Sequence, residues 1–161
     1  MSEGMWPEPV QRVATYLAAA AVEATIQEFP EGTPTAEAAA EAAGCRLEQI
    51  VKSLVFVCDD SYVLALVPGD RRADAVKVAA AARAQEARVA KADEVVAATG
   101  FEPGAVAPFP TSAAAVYMER TLLQHGVVWI GAGSPAHMAS LSPGDLQQVA
   151  GARTADLVAR R

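Results

Sequence analysis

The chain has 161 residues, 52% apolar and 20% charged, with a net charge of −6. That length and hydropathy fit one domain with a single sizeable core and exclude a disordered chain. No apolar run nears the roughly 18 residues of a membrane span, no secretory leader opens the chain, and two cysteines without a Cys-x-x-Cys support neither a disulfide scaffold nor a zinc site.

In chain order, Pro7 and Pro9 precede a helix expected over Val10–Ile26, with Val13, Leu17, Ala20, Ala21 and Ala24 at helical spacing. Phe29-Pro-Glu-Gly-Thr-Pro breaks it. Thr35 then predicts an N-cap for a short helix, Ala36–Ala43, closed by Gly44 in a left-handed conformation. Leu47–Ile50 reads as a helical turn. Val51–Val57 and Tyr62–Val67 read as a β-hairpin with Cys58-Asp-Asp-Ser as a four-residue loop. Arg71–Ala84 reads as helix, Val89 as a short extended piece, and Ala92–Ala98 as a helix stopped by Gly100. After a Gly/Pro-rich loop over 100–110, Val116-Tyr-Met and Val127–Ile130 suit strands on either side of a helical turn near Leu122. Gly131-Ala-Gly133 follows the second of these. Ser142 and Pro143 open a last helix, with Asp145 in its first turn. The class this implies is mixed α/β around a curved sheet.

The charge is unevenly distributed. Residues 49–91 carry seven bases (Lys52, Arg71, Arg72, Lys77, Arg83, Arg88, Lys91) against five acids. Phosphate binding depends on such local clusters, although a solvated helix face gives the same pattern. Both cysteines, Cys45 and Cys58, read as free buried thiols. The chain holds no nucleophile elbow, zincin motif, phosphate-binding glycine-lysine loop or dinucleotide fingerprint.

Two features stand out. Lys52 begins an otherwise apolar strand, where a lysine either opens into a cleft or guards a sheet edge. The loop 100–110 has little side-chain bulk, as a site does when backbone N–H groups approach a ligand, or as a plain surface connection does. His137, in Gly-Ser-Pro-Ala-His, is a loop histidine or a catalytic one.

Thr35-Ala-Glu-Ala-Ala-Ala, Gln49-Ile-Val-Lys-Ser-Leu-Val-Phe56, Leu64-Ala-Leu-Val-Pro-Gly-Asp70 and Thr99-Gly-Phe-Glu-Pro-Gly-Ala-Val-Ala-Pro-Phe109 occur in this order. Together they resemble the YbaK family, also called the prolyl-tRNA synthetase-associated or editing domain family, over residues 10–158 of a single domain spanning 1–161. The resemblance implies a mixed, mostly antiparallel, barrel-like β-sheet surrounded by helices. It implies a free-standing deacylase that hydrolyses the ester of a mischarged tRNA, carrying a small amino acid such as alanine or cysteine on proline tRNA. It implies no cofactor or metal, and as partners the tRNA acceptor end and prolyl-tRNA synthetase; the location expected from the lack of an apolar span and of a secretory opening is cytoplasmic. Lys52 falls on the family's functional lysine and Gly104-Ala-Val-Ala-Pro108 on its Gly-x-x-x-Pro motif. His137 lies where several editing members carry a histidine. Lys52, Gly104 and His137 are thereby catalytic candidates, with Thr35, Ser53, Ala105, Pro108, Gly131 and Gly133 as substrate contacts. Ser53 stands where an alanine-specific subgroup has asparagine. The competing reading is a non-catalytic tRNA- or synthetase-binding module on the same fold.

Overall fold

In the computed structural model, which describes residues 6–161, Pro7 caps the first helix, α1 (Glu8–Ala20), and Pro9 lies in its first turn. Proline suits this end because the first helical amides have no intrahelical acceptor. The helix does not reach Ile26 as expected. Ala21 turns left-handed at φ 58° and closes it, and the β-branched pair Thr25-Ile26 enters a strand, β1 (Thr25–Glu28).

Helix α2 (Ala36–Ala43) has the expected caps. Thr35 Oγ1 accepts the Ala38 N–H at 3.0 Å, and Gly44 lies at φ 72°. A 3-10 turn over Leu47–Gln49 leads into β2 (Val51–Cys58), which pairs antiparallel with β3 (Ser61–Pro68). Cys58 faces Ser61, so the hairpin loop is the two residues Asp59-Asp60 and not four. Asp59 takes φ 52°, which aspartate tolerates, and its carboxylate accepts the amides of Gln85 and Glu86. Helix α3 is confined to Ala75–Ala82, because Asp74 caps it and Ala73 is already bridged to Val158. Then follow β4 (Ala87–Val89), α4 (Ala92–Thr99), β5 (Ala115–Glu119) and a 3-10 turn over Arg120–Gln124. The chain continues through β6 (Val128–Ser134), β7 (His137–Leu141), α5 (Pro143–Ala150) and β8 (Arg153–Ala155).

Among the described residues the strands form two sheets, ordered β1-β7-β6 and β4-β2-β3-β5-β8. The expected single barrel-like sheet is therefore not closed. The sheets meet at one parallel bridge, Ile50 with Trp129, and β4 covers the outer edge of β2 only opposite Phe56–Cys58. Four of the strand pairs are antiparallel; β3–β5 and β5–β8 are parallel.

Strand β3 is buried on both faces, which explains its unbroken apolar run. Leu64 and Leu66 point with Val51 and Val55 into the core between the sheets. Val63, Ala65 and Val67 point with Phe56 toward α3, Leu157 and Val158. A third cluster packs Ala39 and Ala40 of α2 on Phe29, Ile50 and Met138. Helix α1 buries Val10, Val13 and Leu17 and pins the loop 100–110. Arg12 donates to the Gly100 carbonyl at 2.8 Å and lies 4.6 Å from the Phe101 ring centre, and Tyr16 stacks on Phe109.

Candidate functional site

The incomplete cover on β2 leaves a gap, and a cavity of about 380 Å³ occupies it. Its walls come from Thr33–Ala36, the start of β2, Gly104 and Val106 of the pinned loop, and the β6–β7 hairpin. The segment ahead of α2 is strapped to that hairpin. The Phe29 N–H donates to the Ala136 carbonyl at 2.6 Å, and the Thr33 N–H and Oγ1 both donate to the Pro135 carbonyl.

Six of the nine residues singled out in the sequence line this cavity: Thr35, Lys52, Ser53, Gly104, Gly131 and His137. The other three do not. Ala105 and Pro108 are buried in the core side of the loop, and Gly133 is buried against α1. A Cβ on Gly133 would lie 2.7 Å from the Pro9 carbonyl oxygen, and the residue takes φ 102°. It belongs to a register shift in β6 between Gly131 and Ser134, a bulge that sets Ser134 opposite His137. Gly131-Ala-Gly133 thus lies inside β6 and not after a strand. Gly131 itself lets the loop approach, because a Cβ there would meet the Val106 carbonyl oxygen at 2.5 Å.

The loop is built around a β-turn. Ala105 donates its N–H to the Glu102 carbonyl at 2.9 Å, with Pro103 and Gly104 as the central residues. Proline first and a positive φ second, here 86° at Gly104, is the type II pattern. Phe101, Ala105, Ala107 and Phe109 are buried, which leaves Gly104 and Val106 at the cavity.

Lys52 Nζ donates to the Arg71 carbonyl at 2.6 Å. Partial burial pulls its pKa below the ordinary lysine value, the Asp70 and Glu37 carboxylates act in the opposite direction, and Arg72 adds to the lowering. The Oγ of its neighbour Ser53 is shielded from solvent and has no hydrogen-bond partner among the described residues. The backbone at Ser53 is also open. Ile50 accepts from Gly69 beyond the end of β3, whereas Val55 accepts from Ala90 on the opposite side. Alternation along the strand therefore turns the Ser53 N–H and C=O away from β3, toward the edge where the cavity lies.

Sequence reasoning did not single out Ser134. Its Oγ lies 2.6 Å from His137 Nδ1 and accepts the Ala136 N–H at 3.0 Å. His137 is not in a loop: it begins β7, is buried, and has the Trp6 ring 5.7 Å away. The cysteines lie outside the cavity lining; Cys58 is buried as expected whereas Cys45 is only partly so, and burial pushes both thiols up in pKa. Among the described residues no cluster of three metal-ligating side chains occurs, and no helix is long and apolar enough to cross a membrane.

Comparison with known proteins gives one consistent family. The family model described as the aminoacyl-tRNA editing domain matches residues 30–149. The proline--tRNA ligase of Lactobacillus gasseri is 40% identical over 77 residues, 48% of this chain and 14% of the ligase. The chain therefore matches only a small part of that ligase's length. The uncharacterized protein YwhH of Bacillus subtilis is 32% identical over 125 residues, 76% of this chain and 79% of YwhH. A crystal structure described as a proposed trans-editing enzyme for prolyl tRNA synthetase superposes with a TM-score of 0.89 at 33% identity, covering 96% of this chain and 99% of that one.

Proposed function

The chain belongs to the aminoacyl-tRNA editing domain family, and from that premise we propose that it is a free-standing deacylase that hydrolyses the ester of a mischarged tRNA. The observation that carries this reading is the convergence, in one cavity, of a lysine, an unpartnered serine hydroxyl and a glycine turn. An aminoacyl ester is activated, so its hydrolysis needs an oriented water and a stabilised tetrahedral oxyanion more than a protein nucleophile.

The roles divide by chemistry. Lys52 offers a compact positive charge to a phosphate or ribose oxygen of the terminal adenosine. The backbone of the Gly104–Val106 segment approaches the ester carbonyl, unobstructed by a side chain at Gly104. The open N–H and C=O of Ser53 hold the aminoacyl end, with its unpartnered Oγ behind them. The neighbouring 2′- or 3′-hydroxyl of the tRNA assists the water, in keeping with the lack of a triad in the sequence.

Selectivity follows from size. A synthetic site rejects a smaller amino acid by only about 10- to 200-fold, so a second pocket that admits the small residue removes the error. The relatives' association with proline tRNA ligation makes alanine or cysteine on proline tRNA the first substrates to test. The test is a deacylation panel: several mischarged tRNAs, each incubated with this chain alone. Release of a small amino acid with the cognate proline ester left intact supports the reading. Binding of tRNA without release of any amino acid would replace it with a binding module on the same fold.

A further inference from the structure

The Ser134–His137 contact can form with either group as donor, depending on the histidine tautomer. Ser134 Oγ already accepts one hydrogen, from the Ala136 N–H. Its own hydroxyl proton needs an acceptor, and among the described residues the one within reach is His137 Nδ1, at 2.6 Å. With the hydroxyl donating, Nδ1 carries the lone pair and the neutral ring carries its proton on Nε2. The reverse arrangement, Nδ1–H donating to Oγ, would leave the hydroxyl proton with no protein acceptor among the described residues. Nε2 has no protein partner among the described residues, and the ring lines the cavity.

We propose that Ser134 is a positioning residue that holds the His137 imidazole with its proton on Nε2, so that the ring donates a hydrogen bond to the cavity's ligand and does not act as a base. Its consequence for catalysis rests on the deacylase reading; its geometry does not. A base at this position would need a free lone pair on the cavity side. An Nε2–H donor instead suits the oxygen that gains charge as the ester is attacked. The bulge makes this possible. Without the register shift at Gly131–Ser134, Ser134 would not face His137 across the hairpin.

The experiment is nitrogen NMR of the full chain carrying ¹⁵N-histidine. His125 and His137 are the two histidines, so a His125→Gln variant assigns the signals. At a pH where the ring is neutral, His137 should show Nε2 protonated and Nδ1 bare. Ser134→Ala should mix the two tautomers and lower kcat about tenfold, with Ser134→Thr restoring the wild-type nitrogen pattern. His137→Gln, which keeps an N–H near the Nε2 position, should retain more activity than His137→Ala. An Nδ1-protonated wild type, or a tautomer ratio unchanged in Ser134→Ala, would overturn the assignment even if Ser134→Ala folds poorly, since the first reading needs no variant. Absence of deacylation by the wild-type chain would overturn the hydrolase reading, while the nitrogen signals still decide the tautomer.

Discussion

The Lys52 ammonium donates to the Arg71 backbone carbonyl at 2.6 Å, which ties the one charged side chain of β2 to a segment held by the far end of the chain. The Arg71 guanidinium donates to the Ala159 carbonyl, and the Ala159 N–H returns to the Arg72 carbonyl at 2.8 Å. The buried Glu119 carboxylate accepts the Leu157 N–H at 2.7 Å and fixes the same segment to β5. Lys52 is thus a held charge, with less of its side-chain entropy left to lose on binding.

Lys52→Ala should therefore keep the fold and lower single-turnover deacylation by at least tenfold, about 1.4 kcal/mol in the transition state. Lys52→Arg should not restore it, because a planar fork cannot replace a point charge seated on the Arg71 carbonyl. Wild-type deacylation by the alanine variant would remove Lys52 from the mechanism.

Ser53→Ala should separate stability from function. The wild-type Oγ is buried without a partner, an arrangement that costs about 1–3 kcal/mol. Its removal should leave thermal stability unchanged or raise it, while KM for the mischarged tRNA rises. A variant that is both less stable and fully active would show that the hydroxyl serves packing and not the ligand.

How much of this was legible in the sequence differs element by element. Helix α2 was readable to the residue, because Thr35 and Gly44 mark its ends by local chemistry alone. Lys52 was readable as an anomaly, a charge in an apolar strand, and Gly104 through the low side-chain bulk of its loop and the Gly-x-x-x-Pro resemblance. Strand β7 was not, since Met138-Ala139-Ser140-Leu141 has no β-branched residue, and it forms between β6 and the distant β1. Ser134 was invisible for a related reason. Its partnership with His137 depends on a bulge made where Gly133 meets Pro9, a contact between residues over 120 positions apart. The nearest sequence signal was the Gly-Ala-Gly-Ser-Pro run itself. It reads as a turn unless the strands around it are known.

Gly104 carries a conformational cost that a bulk argument overlooks. A Cβ there meets nothing within 4 Å, yet φ is 86°. Gly104→Ala should lower stability by about 1–2 kcal/mol through strain alone. Gly104→Val should lose more, since a β-branched residue tolerates positive φ least. Measured well below the melting temperature, where the folded fraction is near one, both variants should still lose activity if the turn presents its backbone to the ester. Full activity at that temperature would leave Gly104 a turn residue only.

Acid stability should depend on Glu94. Its carboxylate takes two hydrogen bonds from the Arg88 guanidinium and one from the Lys91 N–H, and these pull its pKa from 4.5 to about 2. A carboxylate depressed on folding contributes stability above the unfolded value, lost as pH falls through the folded one. Glu94→Gln should therefore be less stable than wild type at neutral pH, with the gap closing between pH 4.5 and about 2. Parallel melting curves across that window would show that the Arg88 pair does not contribute. The pair is exposed, so the gap should also narrow with added salt.

The cations most available to tRNA are fewer than the charge pattern of residues 49–91 implies. Lys77 is held by Asp156 at 3.0 Å and by the Val158 carbonyl, Arg88 by Glu94, and Arg71 by the Ala159 carbonyl. The bridge between Ala73 and Val158 brings Arg72 near the C-terminal Arg160-Arg161 pair, and Arg161 meets Asp70 at 2.7 Å. Of the seven bases in 49–91, Lys52, Arg72, Arg83 and Lys91 are left, outside any ion pair among the described residues; Lys52 lines the cavity and Arg72 lies close enough to act on it, on a chain of net charge −6. With two to four phosphates neutralised at about 0.7 per contact on single strand and 0.9 on duplex, log affinity against log salt should slope by about −1.5 to −3.5. Recognition would then centre on the acceptor end, and grip on the tRNA body would come from a synthetase partner. Arg72→Ala should flatten the slope by about one contact without changing which amino acid is released. A slope steeper than about −6 would require more phosphate contacts than the cations near the cavity supply, and would place the tRNA elsewhere on the molecule.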